Sequence, residues 1–359
     1  MSDLTMPAAA AVPRRVKRPM ALTAFAIALM LAFLCAVGFG SVRILPDDML
    51  SIVLRTLGIP ADIDPRLEAV FLAIRLPRAV LALVVGAGLG IAGASMQGLF
   101  RNPLADPGLI GVSAGAALAA VAVIVLGGSV LHLITPAQRP WLLPAAAFIG
   151  GLAATAVVYR MGTRSGITSV ATMLLAGIAV NALAAAGIGF LTYIADENQL
   201  RLLLFWTMGS LGSASWGVIL PALPLVVIPA LLLLRHHRAL DAMALGEREA
   251  THLGIEVEGV KKRIVVLVAL CVGGAVSVSG VIGFVGLVVP HIVRLIGGPR
   301  HALVLPGAAM LGGALMLSAD LVARLIMAPA EMPVGIVMAA LGAPAFLTIM
   351  ARRHAATAL

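Results

Sequence analysis

The sequence predicts an all-α polytopic membrane protein of about ten transmembrane helices, at about 20 apolar residues per span with short connections. Three observations carry this. Hydrophobic residues make up 61% and charged residues 11% of 359 residues, with a mean hydropathy of +1.08, which lies outside soluble composition. The apolar runs are long and do not alternate, so helices rather than a closed barrel satisfy the backbone in lipid. The 38 glycines suit helices that pack closely through small residues.

Residues 1–19 form a basic segment carrying Arg14, Arg15, Lys17 and Arg18. It resembles the start of a secretory signal. The apolar run that follows, 20–42, exceeds a signal's usual hydrophobic stretch of about 7–15 residues and ends on no clear small-residue cleavage site, so it reads as a retained first helix. Interruptions by charge, Pro and Gly place further spans at 76–100, 107–128, 141–160, 171–194, 214–234, 263–281, 282–297, 302–322 and 336–351. Residues 20–353 then form one transmembrane domain, and 354–359 a short tail.

Orientation follows from the basic residues. With the amino terminus cytoplasmic, 17 of the 25 fall on cytoplasmic segments, which puts both termini inside. The net charge of +9 is then a consequence of topology and requires no nucleic-acid partner. The external connection 41–75 carries no positive excess, with Arg43, Arg55, Arg66 and Arg75 against Asp47, Asp48, Asp62, Asp64 and Glu68. Trp141, Trp206, Trp216 and Tyr193 fall at external span ends, where amphipathic rings favour the headgroup region. Residues 200–211 and 328–337 are too short to span and read either as half-helices dipping around a cavity or as interfacial loops. Cys35 and Cys271 lie inside spans without metal-like spacing and read as packing residues.

Between two of the longest apolar runs stands a charged island, 240–254, with Asp241, Glu247, Arg248 and Glu249. It falls on the cytoplasmic side, and the small residues Ala242, Ala244 and Gly246 offer a partner close backbone approach, so it reads as a docking helix. The basic run Lys261, Lys262 and Arg263 reads as a positive-inside anchor.

Several motifs occur in fixed order: Arg75-Leu-Pro-Arg78, Gln97-Gly-Leu-Phe-Arg-Asn102-Pro-Leu104-Ala-Asp-Pro107-Gly, Ala244-Leu-Gly246-Glu247, Gly283-Phe-Val-Gly286-Leu-Val-Val-Pro290-His291-Ile-Val-Arg294 and Ala319-Asp320-Leu-Val-Ala-Arg324. Together, over about 75–353, they resemble the FecCD-type permeases, the membrane subunits of bacterial importers for ferric siderophores, haem and cobalamin. The resemblance implies the type II ABC importer permease fold in the inner membrane. It also implies a homodimer in membrane lipid, with two copies of a cytoplasmic ABC ATPase below and a periplasmic substrate-binding protein above. Such a subunit is no enzyme and holds no permanent cofactor; ATP is used by the partner. The chain accordingly lacks a P-loop pattern.

The same resemblance implies roles for particular residues. Ala244, Leu245, Gly246 and Glu247 become the ATPase-coupling segment. Arg75, Arg78 and Arg324 receive acidic side chains from the binding protein, a task suited to the two-pronged guanidinium; the plainer reading is snorkelling or a local pair such as Arg324 with Asp320. Asn102, Leu104, Ser169 and Thr172 form a cytoplasmic gate, or else simple helix-ending turns, and the match is firm at Asn102 and poor at 169–172.

For the cargo, Asp106 within Ala-Asp106-Pro107-Gly resembles the haem permeases, with ferric siderophore next and cobalamin third. His291 reads as structural, His236 and His237 as solvated loop residues, and Met96, Met161, Met173, Met208 and Met332 either line a soft pathway or fill the core. An ion-coupled secondary transporter would place ionisable groups inside spans, where Asp320 is the single acidic candidate. A membrane-embedded transferase would need paired carboxylates or a histidine cluster, which the sequence does not offer.

Overall fold

Pro77 sets the shape of the central helix. The computed structural model describes residues 16–357 apart from 41, 130–134, 136–137 and 329; Arg14, Arg15 and the last two residues lie outside these. Helix α1 (Arg18–Gly38) is followed by α2 (Pro46–Thr56) and α3 (Pro65–Val70). A π turn, Phe71–Arg75, then joins α3 to α4 (Leu76–Leu99). Proline lacks an amide hydrogen and collides with the carbonyl one turn back, and the wider turn, closed by Leu76 N–H to Phe71 O, absorbs the misfit. The connection 41–75, expected as a loop, therefore carries two helices, and Pro65–Leu99 runs on as one apolar helix of 35 residues.

The chain continues through a 3₁₀ turn (Pro107–Ile110) into α5 (Val112–Leu126) and α6 (Arg139–Gly162). A two-stranded antiparallel hairpin, β1 (Thr163–Arg164) with β2 (Ile167–Thr168), leads to α7 (Val170–Ile194) and α8 (Glu197–Thr207). Then come α9 (Trp216–Leu234), α10 (His237–Leu245), α11 (Glu247–His252), α12 (Val257–Ser279), α13 (Val285–Gly297), α14 (His301–Ile326) and α15 (Val334–Thr357).

Each expected span has a helix, and seven helices among the described residues are long and apolar enough to cross a membrane. The expected spans 107–128, 282–297 and 336–351 correspond to shorter apolar helices. The first is cut by Gly111 at φ +82°, which separates the 3₁₀ turn from α5. Of the two candidate half-helices, 200–211 is largely helical as α8, whereas residues 328 and 330–333 are irregular before α15 begins at Val334. The expected tail is not separate, since α15 continues through it to Thr357.

Helix α4 is the most buried of the long apolar helices, and α12, α13 and α14 pack around it; α1, α6, α7 and α9 turn most of their surface outward. Glycine makes the close crossings. A side chain at Gly86 would strike the Gly312 carbonyl on α14, and one at Gly93 the Gly286 carbonyl on α13. This is the small-residue packing expected of helices in lipid. Met96 and Met173 are core filler, while Met161 and Met208 are exposed. Cys271 is buried with its Sγ against the carbonyls of Gly88 and Val226.

Candidate functional site

The 24 residues of α4 separate two polar clusters by about 36 Å, at 1.5 Å per residue. The π turn and Pro77 turn Arg75 and Arg78 into the protein at one end. Both are buried, at 5% and 7% exposure. Arg75 donates to the carbonyls of Val37 (3.3 Å), Phe39 and Val42 (2.9 Å), and so staples the chain leaving α1. Arg78 pairs with Asp320 (2.9 Å) on α14 and with Glu331 (2.7 Å) ahead of α15. Arg324 lies 3.0 Å from Asp320 one turn away and donates to Ala36 O at 2.8 Å. The local pair foreseen for Arg324 thus exists, and one buried carboxylate serves two guanidiniums. Glu331, which the sequence reading missed, is half exposed and is the acidic member of the cluster that faces outward. Trp216, at the start of α9, donates to Leu72 O at 3.0 Å, which places its ring at this same end.

At the other end, the charged island is two helices rather than one. Gly246 adopts φ +144° and ψ 154°, a conformation that glycine alone adopts readily, and it kinks α10 away from α11. Ala244 and Leu245 point outward, Leu245 being 72% exposed, and Leu253 on the next turn is 64% exposed. Glu247 turns inward instead, its carboxylate 2.8 Å from Lys261. Lys261 is only 2% exposed, which corrects its reading as a surface anchor. Lys262 and Arg263 are exposed, as an anchor requires.

Thr168 and Ser169 lie across an open groove of about 690 Å³ from Gly246, Glu247, Arg248 and Glu249, with Phe100 and Arg101 also on its wall. Ser169 caps α7, accepting from the Thr172 amide (3.3 Å) and hydroxyl (3.0 Å). Asn102 folds back on its own turn, its Oδ1 accepting from Leu104 N–H at 2.9 Å, and Leu104 is half-buried. The fold therefore brings Ser169 to the same groove as Gly246–Glu249, while Asn102 and Leu104 are held as a helix-ending turn.

A second small cavity of about 270 Å³ is lined by Gln97, Gly98, Arg101, Pro103, Ala244 and Arg294, among others. Gln97 donates to the carbonyls of Gly286 (3.1 Å) and Leu287 (3.2 Å) and accepts from Arg294, which joins two of the sequence motifs, and Ala244 of a third lines the same cavity. His301 was missed in the sequence; its amide (2.8 Å) and Nδ1 (2.7 Å) both reach Asp241, tying α10 to the start of α14. His236 and His237 are half-buried rather than solvated, and the His236 ring lies 3.0 Å from Leu232 O.

Asp106 is a capping residue. Its Oδ1 accepts from Gly108 N–H at 2.7 Å and opens the 3₁₀ turn. Burial pushes its carboxyl up from the ordinary range, against the opposing pull of that hydrogen bond. The short side chain thus has a local structural reason to be Asp. No group of three or more potential metal ligands occurs among the described residues.

Comparison with known proteins gives a consistent result. The hemin transport system permease protein of Yersinia pestis is 48% identical over 285 residues, covering 79% of this chain and 84% of that one. A vitamin B12 import system permease protein of Escherichia coli is 39% identical over 331 residues, covering 92% and 94%. A solved ABC transporter chain of metal-chelate type, in an inward-facing conformation, superposes with a TM-score of 0.80 at 30% identity, covering 93% and 99%. The model of the FecCD transport family matches residues 28–352, and with the fold and these relatives in agreement, the chain belongs to that family.

Proposed function

We propose that this chain is the permease subunit of an ATP-driven importer of the bacterial inner membrane that passes haem from a periplasmic binding protein to the cytoplasm. The observation that carries the reading is the 48% identity with a hemin permease over 84% of its length. The exposed Ala244 and Leu245 beside the groove supply the contact for an ATPase that the chain itself does not contain. The arginine end supplies paired cations for a carboxylate-bearing binding protein. Helix α7 exposes Leu175, Ile178, Leu183 and Phe190, an apolar face that a second copy would cover in a homodimer. Under this reading both termini are cytoplasmic.

A ferric siderophore or cobalamin is the alternative cargo, cobalamin supported by the 39% identity with a vitamin B12 permease over nearly the whole chain and a metal chelate by the likeness to the solved metal-chelate type transporter. An ion-coupled secondary transporter is disfavoured by Asp320, whose carboxylate is occupied by Arg78 and Arg324 rather than open to a transported ion.

The test is ATP-dependent uptake into proteoliposomes holding this chain and its ATPase, with the binding protein loaded in turn with haemin, a ferric siderophore or cobalamin. Haemin accumulation is the expected result. Uptake of another chelate alone would replace the cargo and keep the mechanism; ATP-independent uptake would overturn the mechanism.

A further inference from the structure

Lys261 spends all three of its ammonium hydrogens inside the protein, and each goes to a different element. It donates to Thr168 O (3.0 Å) on β2, to Glu247 Oε2 (2.8 Å) on α11 and to Glu258 Oε1 (3.0 Å) on its own helix α12. Glu258 completes the ring, its other oxygen accepting from Thr168 N–H at 2.9 Å. A buried ammonium without partners would be strongly unfavourable, so this arrangement persists only while all three elements stay in register.

We infer that Lys261 is the positioning residue that makes α11 and the β1–β2 hairpin move as one body, and so transmits displacement of the coupling segment to the start of α7. The inference rests on the reading that 240–254 faces an ATPase. The groove separates its two walls, Thr168 to Leu174 on one side and Gly246 to Glu249 on the other, and Lys261 bridges them. From Thr168 the path to α7 is one residue long. Ser169 N–H is fixed to Gly162 O at 2.9 Å and its hydroxyl caps α7, so a pull on Thr168 is a pull on the first turn of that helix. The neighbouring pair Arg263–Glu256 is exposed on both sides and contributes little by comparison.

The test uses the full permease–ATPase complex in nanodiscs, with spin labels at Arg164→Cys and Arg248→Cys and with Cys35→Ser to remove the partly accessible native thiol. In the parent chain the distance between labels stays constant between the nucleotide-free and ATP-trapped states. In Lys261→Met, which keeps the length of the stem and deletes the donors, the distance changes on ATP trapping. Haemin uptake per ATP hydrolysed, read in proteoliposomes with the binding protein, falls about tenfold while hydrolysis continues. Lys261→Arg, which restores a cation with several donors, recovers part of that ratio. If Lys261→Met does not assemble, Glu258→Gln gives the same readouts with a smaller effect.

An unchanged label distance in both variants, or an unchanged ratio of uptake to hydrolysis in a complex that transports haemin, would overturn the role of Lys261 and leave the importer reading standing. A parent complex that assembles without carrying haemin still reports through the labels. A parent chain that binds no ATPase would remove both readings.

Discussion

Arg78 on α4 donates through Nε to both carboxylate oxygens of Asp320 on α14, at 2.9 and 3.2 Å, across 242 residues of sequence. Arg324 shares the same carboxylate at 3.0 Å, so Asp320 is paired with two cations at once in a site where it is itself only 1% exposed, and Glu331 supplies the second negative charge. Asp320→Asn keeps the shape and removes the charge, which leaves both guanidiniums facing each other across a neutral amide. The expected loss is about 3 kcal/mol, the scale for removing one partner of a buried pair. It is read as a lowered denaturation midpoint of the purified protein in detergent. A variant as stable as the parent would show that the cluster does not hold α4 to α14.

Under the docking reading proposed for this end, Glu331 is the part of the cluster that a binding protein meets first. It holds Arg78 at 2.7 Å from a loop position where its side chain is 53% exposed. In that reading an incoming carboxylate displaces it, and with the Glu331 half of the pair exposed to solvent the pair contributes about 1 kcal/mol. Glu331→Gln is therefore expected to tighten binding of the binding protein by about fivefold in surface plasmon resonance on the nanodisc complex. Arg324→Glu should weaken it, with ATPase assembly intact. Arg75→Glu would also strand the carbonyls of Val37, Phe39 and Val42, so any loss of docking in that variant also reflects a perturbed α1–α2 connection. Equal affinity of the Glu331→Gln and parent chains would remove Glu331 from the docking surface.

The positions of the spans were legible because long apolar runs leave few alternatives, and the sequence errors fall where one residue answers to two constraints. Arg66, Glu68 and Arg75 made 65–75 look like loop, yet the π turn lets Pro77 sit inside a continuous helix. The run Lys261 to Arg263 looked like a flank, although Val257, Val260, Ile264, Val265 and Val268 already draw a helical apolar stripe that includes Lys261. That spacing was the available signal for a buried lysine. Gly246 was singled out within the charged island, but its kink depends on a positive φ that composition does not reveal. The pairs Arg78–Asp320 and Asp241–His301 join residues distant in sequence, and one sequence read alone holds no record of which distant charges meet.

Close helix crossings give a third prediction. A side chain at Gly93 would overlap backbone atoms of Gly286, and backbone cannot rotate away as a flexible side-chain end can. Gly93→Val is expected to force α4 and α13 apart, at about 1–3 kcal/mol or more for overpacking. It should show as aggregation or an early melt in size-exclusion and thermal assays. Gly283→Ala is the control, because a Cβ there meets nothing within 4 Å. Wild-type behaviour of Gly93→Val would mean the crossing is looser than the glycine contact implies.

Gly246→Leu tests the coupling segment itself. An added Cβ would meet the carboxylate end of Glu249, which is flexible and able to move, so steric conflict is the smaller effect. Backbone conformation is the larger one: φ +144° with ψ 154° strains a leucine by about 1–3 kcal/mol. Relief requires the kink between α10 and α11 to change, and that shifts the exposed Leu245 relative to Glu247, whose carboxylate is fixed to Lys261. The segment then presents the wrong surface to an ATPase while the membrane helices remain folded. ATP hydrolysis should continue in the assembled complex and uptake should fall, so the ratio of uptake to hydrolysis is the quantity to measure. Gly254→Ala is the comparison, since its φ of +82° is a left-handed position with nothing within 4 Å of an added Cβ, which strains alanine by about 1 kcal/mol without steric conflict. It should retain most of the parent's ratio. Parent-like uptake by Gly246→Leu would mean that the kink is dispensable and that coupling runs through another part of the 240–254 surface.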